Sequence, residues 1–186
     1  QYDYTINLYP MFTQTNMEAI SINLDDSWTG YHHARRITSS DNDEFQLLLI
    51  DEDPFMVREK LGIDADKYSY LHIRMSTTAN TIYAQIYFTT VDNPNISMDK
   101  SLFFKINPDG KTHSYYIKMA HNYMWHGVVQ MIRFDPAQYH DDYTWERGMT
   151  SMCKIEKIEF LRNKPDDIIE CMVASELQDD GSTFRS

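Results

Sequence analysis

Apolar and polar residues alternate along most of this chain with a period of two, in short runs bounded by Asn, Asp, Gly and Pro. That spacing is the mark of half-buried β-strands. "SYLHIRMS" (69–76) sets Leu71, Ile73 and Met75 on one side and Tyr70, His72 and Arg74 on the other. "TIYAQIYFTT" (81–90) divides in the same way, with Ile82, Ala84, Ile86 and Phe88 against Tyr83, Gln85, Tyr87 and Thr89. "EFQLLLID" (44–51) is nearly all apolar until "DEDPF" breaks it, and "SLFFKI" (101–106), "THSYYIKM" (112–119), "GVVQMIRF" (127–134) and "CKIEKIEFL" (153–161) complete the strand set. "NPDG" (107–110) carries proline at the second turn position and Asp-Gly behind it, a reversal signal with a steric cause.

Only "PFMVREKLGI" (54–63) hints at a helical turn. "DYTINLYP" (3–10) suits an extra strand, "DDIIECMVASEL" (166–177) a strand or short helix, and "QDDGSTFRS" (178–186) a frayed tail. The pattern predicts an all-β chain, an antiparallel β-sandwich, forming a single domain over residues 1–186.

Composition narrows the partners. Hydrophobic residues make up 42% of the 186, so the chain can bury a core. The net charge of −11 repels phosphate backbones and anionic lipid, which argues against nucleic acid and favours a neutral ligand. No apolar window reaches the roughly 18 residues a membrane span needs, so no membrane insertion is expected. The chain starts at Gln1 without a signal-peptide pattern and reads as a mature or excised fragment. Cys153 and Cys171 are either a disulfide pair or two buried thiols. Asn95-Ile96-Ser97 matches a glycosylation triplet, which matters only in a eukaryotic secretory pathway.

Candidate chemistry lies on the polar sides of two strands. Tyr70, His72 and Arg74 share one face, and Tyr83, Gln85 and Tyr87 share another. If these strands are neighbours, the two triplets join into one platform suited to sugars. Aromatic faces would cover the CH patches of a pyranose while Arg, Gln and Tyr reach its hydroxyls. The competing reading is ordinary packing under a loop or the amino-terminal segment. Arg133 and Asp135 share parity on one strand before Pro136. Asp135 suits a structural ion pair, whereas Arg133 suits either that pair or a forked contact to two hydroxyls.

In "DDSWTGYHHARR" (25–36), Tyr31 and one histidine are candidates to line a loop beside the site, and Trp28 either joins them or, more often, plugs the sandwich end. The adjacent His32 and His33 point opposite ways on a strand and cannot share a metal. Asp25 and Asp26 offer hard oxygens for calcium, although acidic pairs are more often simply solvated. No phosphate loop, serine elbow or zinc helix is present, and no carboxylate pair stands out as a glycosidase acid and nucleophile.

An ordered set of motifs adds a resemblance. Asp53-Pro54, "YSYLHIR" (68–74), "AQIY" (84–87), Asp109-Gly110 leading to "HSY" (113–115), "WHG" (125–127) and "RFDP" (133–136) follow one another within residues 25–160. The set resembles the galactose-binding-like β-sandwich (jelly-roll) carbohydrate-binding modules of secreted bacterial glycoside hydrolases and polysaccharide lyases. The resemblance implies a jelly roll without catalytic residues, often with a structural calcium, attached to catalytic or anchoring domains of a secreted or cell-surface protein. The ligand would be a polysaccharide or glycan, and Tyr70, His72, Arg74, Tyr83, Gln85, Tyr87, Arg133 and Tyr31 are its expected contacts. Residues 1–16 and 163–186 fall outside the family pattern.

Two other functions compete with this one. A structural or protein-interaction spacer would keep the tyrosine-rich faces covered. A jelly-roll polysaccharide lyase would need a Tyr or His base beside Arg and Gln. Against the lyase, "AQIYF" has tyrosine where the familiar lyase motif Gln-Ile-His has histidine.

Overall fold

The computed structural model describes residues 19–39, 42–138 and 149–166. The strands are β1 (Ala19–Ser21), β2 (Trp28–His32), β3 (Ala34–Ser39), β4 (Asn42–Ile50), β5 (Phe55–Arg58), β6 (Ile63–Asp64), β7 (Tyr70–Thr77), β8 (Tyr83–Thr90), β9 (Ser101–Lys105), β10 (His113–Lys118), β11 (Val128–Asp135) and β12 (Thr150–Leu161). They form two antiparallel sheets. The first runs β10-β7-β12-β4-β3, with β1 also on β12; the second runs β2-β5-β11-β8-β9, with β6 also on β11. The fold is therefore the all-β sandwich that the period-two pattern predicts.

Alternation decides which side of each strand is oily. Leu71, Ile73 and Met75 of the first sheet, and Ala84, Ile86 and Phe88 of the second, are wholly buried between the sheets. Phe45, Leu47, Leu49, Ile132 and Phe134 join them. Trp125 ties the layers together. Its ring meets Phe88 of β8 edge-on at 4.9 Å and stacks on Phe160 of β12 at 5.9 Å, and its Nε1 donates to the Tyr68 carbonyl at 2.9 Å. Such aromatic contacts add to simple area burial.

In β12 the pairing slips between Ile155 and Lys157. One extra residue is inserted there, so the buried positions run Cys153, Ile155, then Ile158 and Phe160. The strand thereby pairs with β4 along its first half and with β1 at its end, while β7 lines its other edge.

Several expectations need correction. Residues 54–63 do not form a helical turn. They form β5 and β6, both paired to β11, and the chain reverses through positive φ at Lys60 (59°) and Gly62 (67°). Strand pairing of the Phe55-Met56-Val57 run outweighs its weak helical spacing. The segment 19–39 also holds three strands that the sequence pattern did not reveal. Gly30 explains part of this, because it sits at φ 57° in an irregular stretch of β2, and a Cβ there would lie 3.1 Å from the Val57 side chain. Trp28 is buried, with its Nε1 donating to the Asn23 carbonyl at 2.9 Å.

Cys153 is a free, fully buried thiol against Met75, and burial pushes it up to about 12. Cys171, residues 3–10, the element expected over 166–177 from residue 167 onward, and the tail 178–186 lie outside the described residues. No helix among the described residues is long and apolar enough to cross a membrane.

Candidate functional site

The outer face of the second sheet is built by register. β8 presents Tyr83, Gln85, Tyr87 and Thr89 away from the core. Its neighbour β11 sets Arg133 opposite Tyr87, Asp135 opposite Gln85 and Met131 opposite Thr89. On the other side, β9 sets Ser101 opposite Tyr87 and Phe103 opposite Gln85.

Across this face runs a row of planar groups. The His33 and His32 rings lie 3.9 Å apart, and His32 stacks on Phe55 at 4.8 Å. The Arg133 guanidinium then lies 3.6 Å over Phe55 and 4.9 Å from the Tyr87 ring. Guanidinium planes stack well on aromatic faces. Arg133 is held in place by Asp135, which takes hydrogen bonds from Nε (2.8 Å) and Nη2 (2.6 Å), and by Asp53, which takes one from Nη2 (2.7 Å). Asp135 is completely buried, which pushes its carboxyl up to about 7 while Arg133 pulls it back down. Burial also raises the Tyr87 phenol, with the Asp135 charge adding to the effect.

The face is not an open platform. Tyr87 is 9% exposed, Tyr83 6% and Gln85 1%. Met98, in the 3-10 turn Met98–Lys100, reaches over two of them: its sulfur accepts from Tyr87 Oη at 2.9 Å and faces Gln85 Nε2 at 3.9 Å. Lys100 shapes the loop before this turn. Its buried ammonium donates to the Asn93 carbonyl and side chain, both at 2.8 Å, and to the Asn95 carbonyl. Burial lowers its proton affinity.

Beside the row, at the far end of β8 and the start of β11, the face opens into a cleft of about 570 Å³. Its lining mixes apolar Val91, Pro94, Val128 and Met131 with Glu59, Lys60, Thr89 and Gln130. The volume is that of a small-ligand site. Lys60 lies on its rim in the left-handed backbone region, an uncommon conformation for a side chain of that size. The pairing of β11 with β8 slips between Val129 and Met131. This leaves Val129 buried while Gln130 and Met131 both reach the cleft.

The two triplets read from the sequence are not neighbours. Tyr70, His72 and Arg74 belong to β7 in the first sheet, so they lie on the opposite outer face of the sandwich from Tyr83, Gln85 and Tyr87. The connection 78–82 crosses between sheets instead of closing a hairpin. On that other face, His72 stacks on Tyr116 at 4.3 Å and binds Glu159 at 2.7 Å and Ser114 at 3.1 Å. Arg74 is paired with Glu156 at 2.8 Å. Of the residues the lyase reading drew on, His72 and Arg74 thus lie on one face and Tyr83, Gln85 and Tyr87 on the other.

Tyr31 is also displaced from its expected place beside the site. The irregular pairing of β2 turns it toward the core, with a buried hydroxyl, and presents His32 to the outer face instead. Sequence reasoning offered one histidine of the His32-His33 pair without choosing it, and it missed Phe55, Asp53 and Met98; "FMVR" is apolar at three successive positions and gives no alternation to mark Phe55.

Among the described residues no group of three or more His, Cys, Asp or Glu is arranged to hold a metal ion. Asp25 binds Ser27, and Asp26 pairs with Arg36.

Solved carbohydrate-binding modules share the architecture. The family 11 module from Clostridium thermocellum, in complex with a β-1,3-1,4-mixed-linked tetrasaccharide, matches with a TM-score of 0.51 at 7% identity, over 76% of this chain and 94% of that one. The family 11 module of a cellulosomal cellulase from the same organism gives 0.48 at 9% identity, over 87% and 96%. A family 6 module from Clostridium cellulolyticum in complex with xylose gives 0.47 at 7%, over 77% and 96%. No family model matches the chain, and no curated protein does. Identity at this level speaks for fold alone: the chain has the β-sandwich fold of carbohydrate-binding modules, as its motif order implied.

Proposed function

We propose that this chain is a non-catalytic carbohydrate-binding module whose ligand surface is the outer face of the second sheet. The observation that carries the reading is the cleft of about 570 Å³ on that face, continuous with the Arg133 row. Val91, Pro94, Val128 and Met131 offer apolar surface to the CH faces of a sugar. Gln130, Lys60 and Glu59 offer donors and acceptors to its hydroxyls. The net charge of −11 favours a neutral polymer over a polyanion. Tyr83, Gln85, Tyr87 and Arg133 belong to this surface, whereas Tyr70, His72 and Arg74 do not adjoin it. In this role the module acts outside the cell and fixes an attached catalytic or anchoring domain to its polymer. Affinity per site is about 10 µM to 1 mM, raised by multivalent attachment.

A pull-down on barley mixed-linkage β-glucan, xylan, laminarin and cellulose tests the reading, followed by calorimetry on oligosaccharides. The tetrasaccharide held by the family 11 module makes mixed-linkage glucan the first polymer to try. Gln130→Ala and Lys60→Ala should each weaken binding by roughly tenfold without moving the melting temperature. The near-complete burial of Gln85 and Tyr83 favours a second reading, a spacer or protein-interaction sandwich. Silence on all four polymers would establish that reading in place of the first.

A further inference from the structure

The Tyr87 hydroxyl is a strong donor whose hydrogen meets a thioether, Met98 Sδ, at 2.9 Å. Its neighbour Gln85 is served by oxygens: Nε2 donates to Ser101 Oγ at 3.0 Å, and the side chain also bonds to Tyr87. Sulfur of this type is a weak acceptor, and an oxygen placed there would bind the phenol better.

The side chain that supplies the sulfur is free to leave. Met98 is 45% exposed and turns about three bonds. Its backbone, by contrast, is fixed: Ser101 Oγ donates to the Met98 carbonyl at 2.8 Å, and Lys100 N to the Ser97 carbonyl at 3.0 Å. A rotamer change therefore uncovers Tyr87 and Gln85 without unfolding the turn.

What it uncovers is continuous with the cleft. Thr89 and Met131 line the cleft as one cross-strand pair, and the next outward-facing pair on the same two strands is Tyr87 and Arg133. The step between them is about 7 Å along the strand, roughly one ring along a saccharide chain.

We propose that Met98 is a displaceable cover over a second subsite. A ring hydroxyl of a bound saccharide takes the place of the Met98 sulfur on Tyr87 Oη, and the ring lies against the Arg133 row. This rests on the carbohydrate-binding reading and extends its site by one sugar.

The test is acetylation of tyrosine hydroxyls by N-acetylimidazole, read peptide by peptide by mass spectrometry. It uses the full chain, Met98→Ala and Met98→Leu, each with and without the mixed-linkage β-glucan tetrasaccharide. Tyr123, 79% exposed, is the internal reference. Tyr87 should label slowly in the full chain and in Met98→Leu, and several times faster in Met98→Ala. The tetrasaccharide should protect it in Met98→Ala and bind that variant roughly threefold to tenfold more tightly. Unchanged Tyr87 labelling in Met98→Ala overturns the proposal, as does equally fast labelling in Met98→Leu, which would mean a loosened turn. Saccharide that binds but leaves Tyr87 unprotected overturns the subsite and spares the functional reading. No binding to any variant, with Tyr87 uncovered in Met98→Ala, overturns the functional reading and the subsite with it.

Discussion

Arg133 and Asp135 grip each other from alternate positions of one strand, through two parallel hydrogen bonds of 2.8 and 2.6 Å. The pair is in a shielded place, since the Asp135 side chain has no exposure and that of Arg133 has 15%. Breaking such a pair from one side is expensive because it strands a buried charge.

Arg133→Met should therefore lower unfolding free energy by about 3 kcal/mol, and the double variant Arg133→Met with Asp135→Leu should recover most of that loss. Urea titrations of the wild type and the variants read both numbers. A double variant no better than the single one would mean that the planar stack, rather than the stranded charge, holds this face together.

His72 makes stability depend on pH. Burial lowers its proton affinity from the ordinary 6.5, and the hydrogen bond it donates to Glu159 offsets only part of that. The unfolded chain thus takes up the proton before the folded chain does. The contribution to stability is complete above about pH 6.5 and is lost as pH falls below it toward the folded value. Asp135, pushed up to about 7, works in the opposite direction over the same range, so the His72 share is read as a difference: between pH 7 and 5 the urea midpoint of the wild type should fall relative to that of His72→Gln. An identical slope in the variant would move the cause to other groups.

Lys100 holds its loop with no carboxylate in the bonding set, using instead the Asn93 carbonyl, the Asn93 side chain and the Asn95 carbonyl. Lys100→Met keeps the bulk and removes the donors. It should cost about 1–3 kcal/mol and speed amide exchange in residues 93–97 while β7 and β8 stay protected. Because Val91 and Pro94 wall the cleft, saccharide affinity should fall with it. Unchanged exchange in 93–97 would show that the loop is held by something other than this ammonium.

Much of the fold was legible because burial writes itself into alternation. Ala84, Ile86 and Phe88 against Tyr83, Gln85 and Tyr87 came out as the sequence divides them. Pairing between strands is a different matter, since alternation says which side of a strand is wet but not which strand lies beside it. β7 and β8 follow one another in sequence and still went to different sheets, so a platform built on their adjacency could not form. The Arg133 row was illegible for a similar reason. Its members come from β2 and the bend after it, β5, β11 and β8, and the irregular step in β2 exchanges the roles of Tyr31 and His32. Met98 gave no signal at all, because a loop side chain that folds back over a sheet leaves no periodic trace.

The slipped residue in β12 acts as a phase corrector. Before it, Cys153 and Ile155 point inward, and after it Ile158 and Phe160 do so. Glu156 is the extra residue, so deleting it would leave Ile155, Lys157 and Ile158 consecutive opposite Met75, Arg74 and Ile73, with Ile158 and Phe160 still facing inward. Inserting one residue after Ile158 would do the opposite, turning Phe160 to water and Glu159 to the core, and β1 and the end of β7 would lose their partner together. The bulge thus lets two inward-facing runs of opposite parity share one long strand.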